Sequence, residues 1–367
     1  MTTAPIVIAA GGTGGHVFPA QALAHSLAAR GRTLAFVTDQ RGGAFDEGWP
    51  KAEVFTLRSG AVAGRGPLAR LKGLLDVMRG ARQAQSLFSR LKPAAVVGFG
   101  GYPSVPPVLA GSRLGRPTLI HEANAVLGRA NRFLAPRATA IATAFPRADG
   151  LKAGLQGKVT VTGNPVRPAA VDARGVPYAE PKAGGEFRLV VFGGSLGATV
   201  FSRVVPDALA ALPENVRMRL KVVQQCRMED YAAARDIYER AGIHAELASF
   251  FGDMPARIAN AHLVVARAGA STVAELAVIG RPAILVPYPH AIDDHQTVNA
   301  HALATVGGGW PMAESSFTPE AVTAMVGELI EAPERLAEVA AAARSLGRPD
   351  AAERLADVVE RIARDEP

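Results

Sequence analysis

Twice in this chain a short apolar run ends in a cluster of glycines that opens a helical pattern. Ile6-Val-Ile-Ala-Ala10 leads into Gly11-Gly-Thr-Gly-Gly-His16, and Arg188-Leu-Val-Val-Phe192 leads into Gly193-Gly-Ser-Leu-Gly197. A strand that turns at once into a helix needs backbone conformations that glycine adopts without steric cost, and such units build parallel sheets covered by helices. The pattern continues after each loop. Strands are expected at Leu34–Val37, Ala94–Gly98, Thr118–His121, Ala138–Ala142 and Lys158–Thr162. In the second half they are expected at Leu220–Val223, Ala245–Phe250, Leu263–Ala266 and Ala283–Val286. Helical periodicity lies between several of them, as over Val17–Arg30 before Gly31. The fold class is therefore α/β, with two doubly wound parallel sheets. A length of 367 residues suits two domains. The Pro/Gly-rich stretch Pro168–Gly185 reads as the linker, and Ala-rich helices from Pro319 to Arg364 close the chain, broken at Gly347-Arg-Pro349.

Composition narrows the function classes. With 49% hydrophobic and 20% charged residues the chain is not disordered. A single cysteine allows no internal disulfide and no multi-cysteine zinc site, which points to a reducing compartment. No stretch reaches about 18 apolar residues without a charge, so no membrane-spanning helix is expected. Met1–Pro5 has no basic residue and Ile6–Ala10 is too short for a signal-peptide core, so these residues are expected to enter a buried strand. The net charge of +7 hides an asymmetry. Residues 1–163 carry 20 Lys+Arg against 7 Asp+Glu, whereas 164–367 carry 20 against 26. Only the first half is suited to an anionic partner, be it nucleic acid, anionic lipid or a phosphorylated substrate. Within it, residues 65–92 hold seven basic residues against Asp76 alone, with Leu68, Leu71, Leu74, Leu75 and Met78 at helical spacing. That stretch fits a helix packed on the sheet and, equally, a helix resting on an anionic membrane surface.

The glycine loops are the natural seats for phosphate, because a helix N-terminus offers free N–H groups and the positive end of the helix dipole. Besides the two already named, Phe99-Gly-Gly-Tyr-Pro103 and Ala268-Gly-Ala-Ser-Thr272 are of this kind, and Glu275 lies one turn inside the last. Neither the dinucleotide fingerprint G-x-G-x-x-G nor the phosphate-loop lysine is present in the first loop. No Asp-x-Asp triplet occurs, so no metal–diphosphate cradle is expected and no metal or cofactor is required; Asp293-Asp294 reads as solvated carboxylates or acceptors of ligand hydroxyls. His16, in a loop suited to ligand, is a candidate general base. His121 and Glu122 end a strand just before Asn124 and read as site residues, with Glu122 the second catalytic candidate. Cys226 reads as a small apolar residue.

An ordered set of motifs carries a resemblance. Gly11-Gly-Thr-Gly-Gly-His-Val-Phe-Pro19, Gly100-Gly-Tyr102, His121-Glu-Ala-Asn124, Gly163-Asn-Pro-Val-Arg167, Gly193-Gly-Ser-Leu-Gly-Ala198, Arg267 to Glu275 and Asp294-His-Gln-Thr-Val-Asn-Ala300 follow one another over residues 11 to 300. Together they resemble the bacterial cell-wall transferases that pass N-acetylglucosamine (GlcNAc) from UDP-GlcNAc to lipid-linked N-acetylmuramyl-pentapeptide. The resemblance implies a GT-B fold, two Rossmann-like domains facing a cleft, with a last helix crossing back to the first. The acceptor domain would be residues 1–163 with about 350–367, and the UDP-GlcNAc domain residues 164–349. It implies that Thr13, Gly14, Gly15, His16, Gly101, Tyr102 and Asn124 line the acceptor side and reacting centre. On the donor side it implies Ser195 and Arg167 at the diphosphate, Phe251 bracketing the uracil, and Glu275 on the ribose. Ala270, Ser271, Thr272, Val273 and Ala274 would supply the helix N-terminus, and Gln296 and Asn299 would hold the sugar. The chain departs from the family at Ala123 and Leu196, where glutamine is frequent, and at Phe251, where a smaller aliphatic residue is usual.

The implied reaction is an inverting transfer to the C4 hydroxyl of the undecaprenyl-linked acceptor. The implied place is the cytoplasmic face of the plasma membrane, as a peripheral protein touching anionic lipid through residues 65–92 and working beside a cell-wall synthesis complex. Two other readings stay open on sequence grounds. A UDP-GlcNAc 2-epimerase shares the fold and needs no lipid, but gains nothing from a basic 65–92 stretch. A non-catalytic nucleotide- or RNA-binding protein would use the basic half, but no aromatic platform for RNA is present, and nucleic acid is not the expected partner.

Overall fold

The structure, a computed structural model, describes residues 4–11, 14–39, 48–59, 67–194 and 197–364. The side chains of residues 67–71 also lie outside the description. The chain divides into two compact units, Met1–Arg167 with Arg348–Pro367, and Pro168–Gly347.

The first unit contains β1 (Ile6–Ala9), α1 (Gly14–Ala29), β2 (Leu34–Asp39), β3 (Glu53–Leu57), α2 (Pro67–Leu91), β4 (Ala95–Gly98), α3 (Gly101–Arg113), β5 (Thr118–Glu122), α4 (Arg129–Leu134), β6 (Ala140–Thr143) and β7 (Val159–Val161). Its seven strands run in the order β3-β2-β1-β4-β5-β6-β7, all parallel. Ile6 lies level with Leu34 on one side and Ala95 on the other, so the order reverses at β1. A crevice at the carboxyl ends of the strands opens where the order reverses. Both faces are covered, which is why the inner strands read as unbroken apolar runs rather than alternating ones. One face packs Val7, Val96 and Ile120 against Phe88 and Val108 of α2 and α3. The other packs Ile8, Val97 and Leu119 with Leu23 and Leu27 of α1, and with Leu355 and Val359 of the closing helix Ala351–Arg364. Ion pairs from Arg30 to Asp357 (2.6 Å) and from Arg32 to Glu360 (2.7 Å) fix that helix beside α1.

The second unit holds α5 (Pro168–Ala173), β8 (Phe187–Phe192), α6 (Thr199–Ala210), α7 (Glu214–Arg217), β9 (Leu220–Gln225), α8 (Met228–Arg240), β10 (His244–Ala248), α9 (Met254–Asn260), β11 (Leu263–Ala266), α10 (Ala270–Ile279), β12 (Ala283–Leu285), α11 (His295–Thr305), β13 (Gly309–Pro311), α12 (Pro319–Ile330) and α13 (Pro333–Leu346); the helix Ala351–Arg364 of the first unit is α14. Its sheet runs β10-β9-β8-β11-β12-β13, again parallel, with the reversal at β8. Phe187, Leu189, Phe201, Leu209 and Val322 centre one of its apolar layers.

Three expectations are corrected. Pro168–Gly185 is not a linker: Pro168–Ala173 is helical, and Tyr178 donates to the His262 carbonyl at 2.9 Å inside the second unit. The first unit runs to Arg167 rather than to residue 163, since Val166 is buried and the Arg167 guanidinium lies 5.0 Å over the Phe18 ring of α1. In α2 the described part of the leucine stripe is not core, Leu68 and Leu71 lying outside the described side chains. Val77, Ala81, Ala84, Leu87 and Phe88 are buried, whereas Leu74, Leu75 and Met78 are 49%, 42% and 46% exposed. Two strands were not legible in the sequence. Both are edges: β3 is largely solvent-facing, and β13, Gly-Trp-Pro, carries residues that strands avoid.

Candidate functional site

In the first unit the loops after β1, β4 and β5 and the turn after β7 gather at the carboxyl ends of the strands. Gly11 leaves β1 with no room for a side chain: a Cβ there would stand 3.0 Å from Thr38 Oγ1 and 3.2 Å from Pro103 Cγ. His16 follows in the first turn of α1. Its ring rests on the second glycine loop, where Gly100 and Gly101 hold positive φ of 83° and 68°. Side chains there would come within 3.3 Å of His16 Cε1 and 3.4 Å of His16 Cδ2. Tyr102 is half-buried at the start of α3, and Ser104 ties that start to β1 by donating to Ala9 O at 3.2 Å. Gly14, Gly15, His16, Gly101 and Tyr102 are thus brought together within one unit. Thr13 lies outside the described residues.

His121 and Glu122 lie at the end of β5. His121 Nε2 faces Gly163 O at 3.2 Å, and its ring packs 5.3 Å from Phe99. Burial, with a smaller contribution from His16, pushes the imidazole down to about 4, so it is neutral at ordinary pH. Glu122 turns its carboxylate inward. It is 3% exposed and accepts four hydrogen bonds. Oε1 takes Asn124 N (3.0 Å) and Nδ2 (3.1 Å), and Oε2 takes Gly128 N (2.8 Å) and Asn131 Nδ2 (2.9 Å). A buried carboxylate so occupied shapes the loop 123–128 around itself, and Asn124 takes part in that shaping. Arg167, expected with the donor diphosphate, stacks on Phe18 beside the first glycine loop.

In the second unit the loop after β8 is equally tight. A Cβ on Gly193 would collide with Gly197 and Ala198, and Gly197 N returns to Gly194 O at 3.0 Å. Ser195, between them, lies outside the described residues. Gln225, which the sequence did not single out, holds this loop to its neighbour. Its Oε1 accepts from Gly193 N (3.2 Å) and its Nε2 donates to Ser249 O (3.1 Å). α10 starts at Ala270 behind Gly269 with no side-chain cap among the described residues, and the first amides of a helix have no partner within it. Ser271 Oγ is buried there without a hydrogen-bond partner among the described residues. Thr272 and Ala274 are half-buried, while Val273 and Glu275 face inward, Glu275 5% exposed. A helix N-terminus of this kind is chemically suited to an anion.

The remaining donor candidates have partners within the second unit. The Phe251 ring is buried under the Arg257 guanidinium at 4.4 Å, so its face cannot stack on a base; only its backbone remains for that role. Arg257 is itself held by Glu246 (2.6 and 2.9 Å) and Asp253 (2.7 Å). Asn299 is fully buried and donates to Ala268 O at 3.1 Å, which positions the loop before α10. Gln296 Oε1 accepts from Tyr288 N at 2.9 Å. Arg267 knits the same region, pairing with Glu314 at 2.5 Å and donating to the Val286 and Pro287 carbonyls at 3.2 Å. Asp293 and Asp294, just before α11, hold strained positive φ of 54° and 50°.

Comparison with known proteins agrees with both halves. Residues 6–143 match the model of the glycosyltransferase family 28 N-terminal domain, and residues 188–355 that of its C-terminal domain. The UDP-N-acetylglucosamine–N-acetylmuramyl-(pentapeptide) pyrophosphoryl-undecaprenol N-acetylglucosamine transferase of Rhodospirillum centenum is 54% identical over 359 residues, covering 98% of this chain and 94% of its own. The crystal structure of Acinetobacter baumannii MurG superposes with a TM-score of 0.80 at 29% identity, covering 98% of this chain and 100% of that one. A UDP-GlcNAc 2-epimerase from Neisseria meningitidis, solved with UDP-GlcNAc, has a TM-score of 0.66 at 12% identity over 97% of this chain and 100% of that one, a likeness of fold alone. Identity above one half across both units, with the glycine loops and their helices in place, decides between these: the chain belongs to glycosyltransferase family 28 and, within it, to the MurG enzymes.

Proposed function

We propose that this protein transfers GlcNAc from UDP-GlcNAc to the C4 hydroxyl of undecaprenyl-linked N-acetylmuramyl-pentapeptide with inversion at C1. The observation that carries the reading is the 54% identity over nearly the whole chain to a transferase named for that acceptor. The acceptor oxygen attacks C1, the C1–O bond to the diphosphate breaks, UDP leaves, and His16 takes the hydroxyl proton. The transition state is oxocarbenium-like, as in glycosidases. Charge on the leaving diphosphate is met by the open amides of α10 and by Ser271, with Arg167 and the loop holding Ser195 as further contributors. Glu275 holds the ribose, and Gln296 and Asn299 serve the sugar, Asn299 through the Ala268 carbonyl.

The reading needs no metal or cofactor, because helix termini and hydroxyls supply the countercharge. Among the described residues no helix is long and apolar enough to cross a membrane. On this reading the protein works as a peripheral protein on the cytoplasmic face of the plasma membrane. The exposed Leu74, Leu75 and Met78 of α2 and the exposed Lys72, Arg79 and Arg82 beside them support that placement. Supplying the peptidoglycan precursor ties the enzyme to cell shape, division and the cell cycle, beside other cell-wall synthesis proteins. The test is incubation with UDP-GlcNAc in excess chelator, with and without the lipid-linked acceptor. Transfer and UDP release only when acceptor is present support the reading. Conversion to an epimeric UDP-sugar without acceptor, or activity only on restoring Mg²⁺ or Mn²⁺, counts against it.

A further inference from the structure

Asn164 follows Gly163 at the carboxyl end of β7 and is 5% exposed. Neither its Nδ2 nor its Oδ1 has a hydrogen-bond partner among the described residues. Buried amides almost always have partners, and one left without them weakens the fold. A second such atom belongs to the neighbouring residue in space. Gly163 O pairs with His121 Nε2 at 3.2 Å, which places the imidazole proton on Nε2 and leaves Nδ1 as an acceptor. That Nδ1 is also buried and without a partner among the described residues. The Asn164 amide and the His121 ring thus flank one carbonyl, Gly163 O, and the Asn164 amide and the Nδ1 on the other edge of the ring are engaged by none of the described residues. Residues that break a local rule at a cost to the fold concentrate where function requires them.

We infer that Asn164, together with His121 Nδ1, is a recognition subsite in the first unit for the acetamido and hydroxyl groups of an N-acetylhexosamine. The acetamido carbonyl accepts from Asn164 Nδ2, while ring hydroxyls donate to Asn164 Oδ1 and His121 Nδ1. Because these atoms are buried, the sugar reaches them only with a local shift of the covering residues, so recognition and rearrangement are coupled. The inference rests on the proposed transfer reaction. The same chemistry is offered by the acceptor sugar and by the GlcNAc of the donor.

Asn164→Leu in the full chain removes the amide and keeps its shape, and Asn164→Ala is the second variant. Each is followed by calorimetric melting, by titration with UDP-GlcNAc and with UDP, and by steady-state transfer to the lipid-linked acceptor. The expected result is an unchanged or raised Tm with at least a tenfold loss of kcat/KM. A loss in the acceptor's kcat/KM alone assigns the subsite to the acceptor; weakened UDP-GlcNAc binding with UDP binding intact assigns it to the donor sugar. Unchanged kinetics and binding overturn the inference, and so does a Tm lowered by several degrees with kinetic losses no larger than the unfolded fraction. Wild-type protein that transfers no GlcNAc defeats the transfer reaction itself, whereas active wild type with an equally active Asn164→Leu defeats only the subsite.

Discussion

A carboxylate at the end of a buried strand can serve as catalyst or as scaffold, and at Glu122 the hydrogen bonds decide for scaffold. Removing it in Glu122→Ala leaves the Gly128 and Asn124 amides without this acceptor and the Asn131 side chain with only the His121 carbonyl. Each buried donor so stranded costs roughly 1–3 kcal/mol. A loss of about 3 kcal/mol in denaturant unfolding is therefore expected, and a variant as stable as wild type but inactive would restore the catalytic reading. His16, by contrast, rests on glycine backbone at a loop suited to ligand. His16→Ala is expected to lower kcat by about 10²–10⁴-fold with UDP-GlcNAc affinity unchanged, whereas Glu275→Ala weakens that affinity roughly tenfold. Equal loss of affinity in both, measured by titration calorimetry, would end this division of roles. Two buried histidines add a pH dependence. Burial is the first cause in holding His121 and His262 down to about 4, against an ordinary value near 6.5. Between these values the unfolded chain binds protons that the folded chain refuses, so stability is full above about pH 6.5 and is lost as pH falls toward 4. Each histidine contributes up to roughly 3 kcal/mol over that window. Melting curves from pH 7 to 4 should show a falling Tm, with a shallower fall in His262→Gln; an unchanged slope would remove His262 from the account.

At the scale of elements, the first unit is completed by a helix from the far end of the chain. α14 lays Leu355, Val358, Val359 and Ile362 on the sheet face shared with α1, and Leu355 is fully buried. Leu355→Ala should cost about 2–5 kcal/mol, the range for a buried leucine cavity, and should lower the thermal transition of the first unit. A scan in which only the second unit's transition moved would contradict the packing. The glycine loops show the complementary case, in which what is absent matters. At Gly193 a side chain would occupy the place of the Gly197–Ala198 backbone, so the tight turn into α6 exists only because the residue lacks one.

Across the whole molecule, charge and exposure coincide in α2. Residues 1–163 have an excess of 13 basic residues, 20 against 7, and Lys72, Arg79 and Arg82 are exposed beside Leu74, Leu75 and Met78. Arg70 belongs to the same stretch, with its side chain outside the description. Each basic residue near an anionic surface contributes on the order of 1 kcal/mol, so a few give reversible attachment. Sedimentation with anionic vesicles should weaken as salt rises, since the Debye length shrinks to about 3 Å at 1 M. Changing Arg70, Lys72, Arg79 and Arg82 to Glu should abolish that binding and leave UDP-GlcNAc affinity intact. If the variant still sediments, another surface makes the contact.

The sequence by itself determined the parallel α/β class, the inner strands, the glycine turns and the order of motifs, because each is a local property. Apolar runs, glycine's conformational range and the spacing of residues on one helix are written within a few positions. It also brought His16, Gly101 and Tyr102 into one candidate list. It left the edge strands β3 and β13 unread, because their short, half-exposed runs carry no period. Only the tertiary structure decided which side of α2 faces solvent, since both sides hold apolar residues and packing chose Val77, Ala81 and Phe88. Only it showed Glu122 and Asn299 holding loops and the Phe251 ring under Arg257, and left the Asn164 amide without a partner among the described residues. Hydrogen-bond partners distant in sequence, such as Gly163 for His121 or Ala268 for Asn299, are met only after the chain has folded, and it is they that fix what a polar side chain has left to offer a substrate.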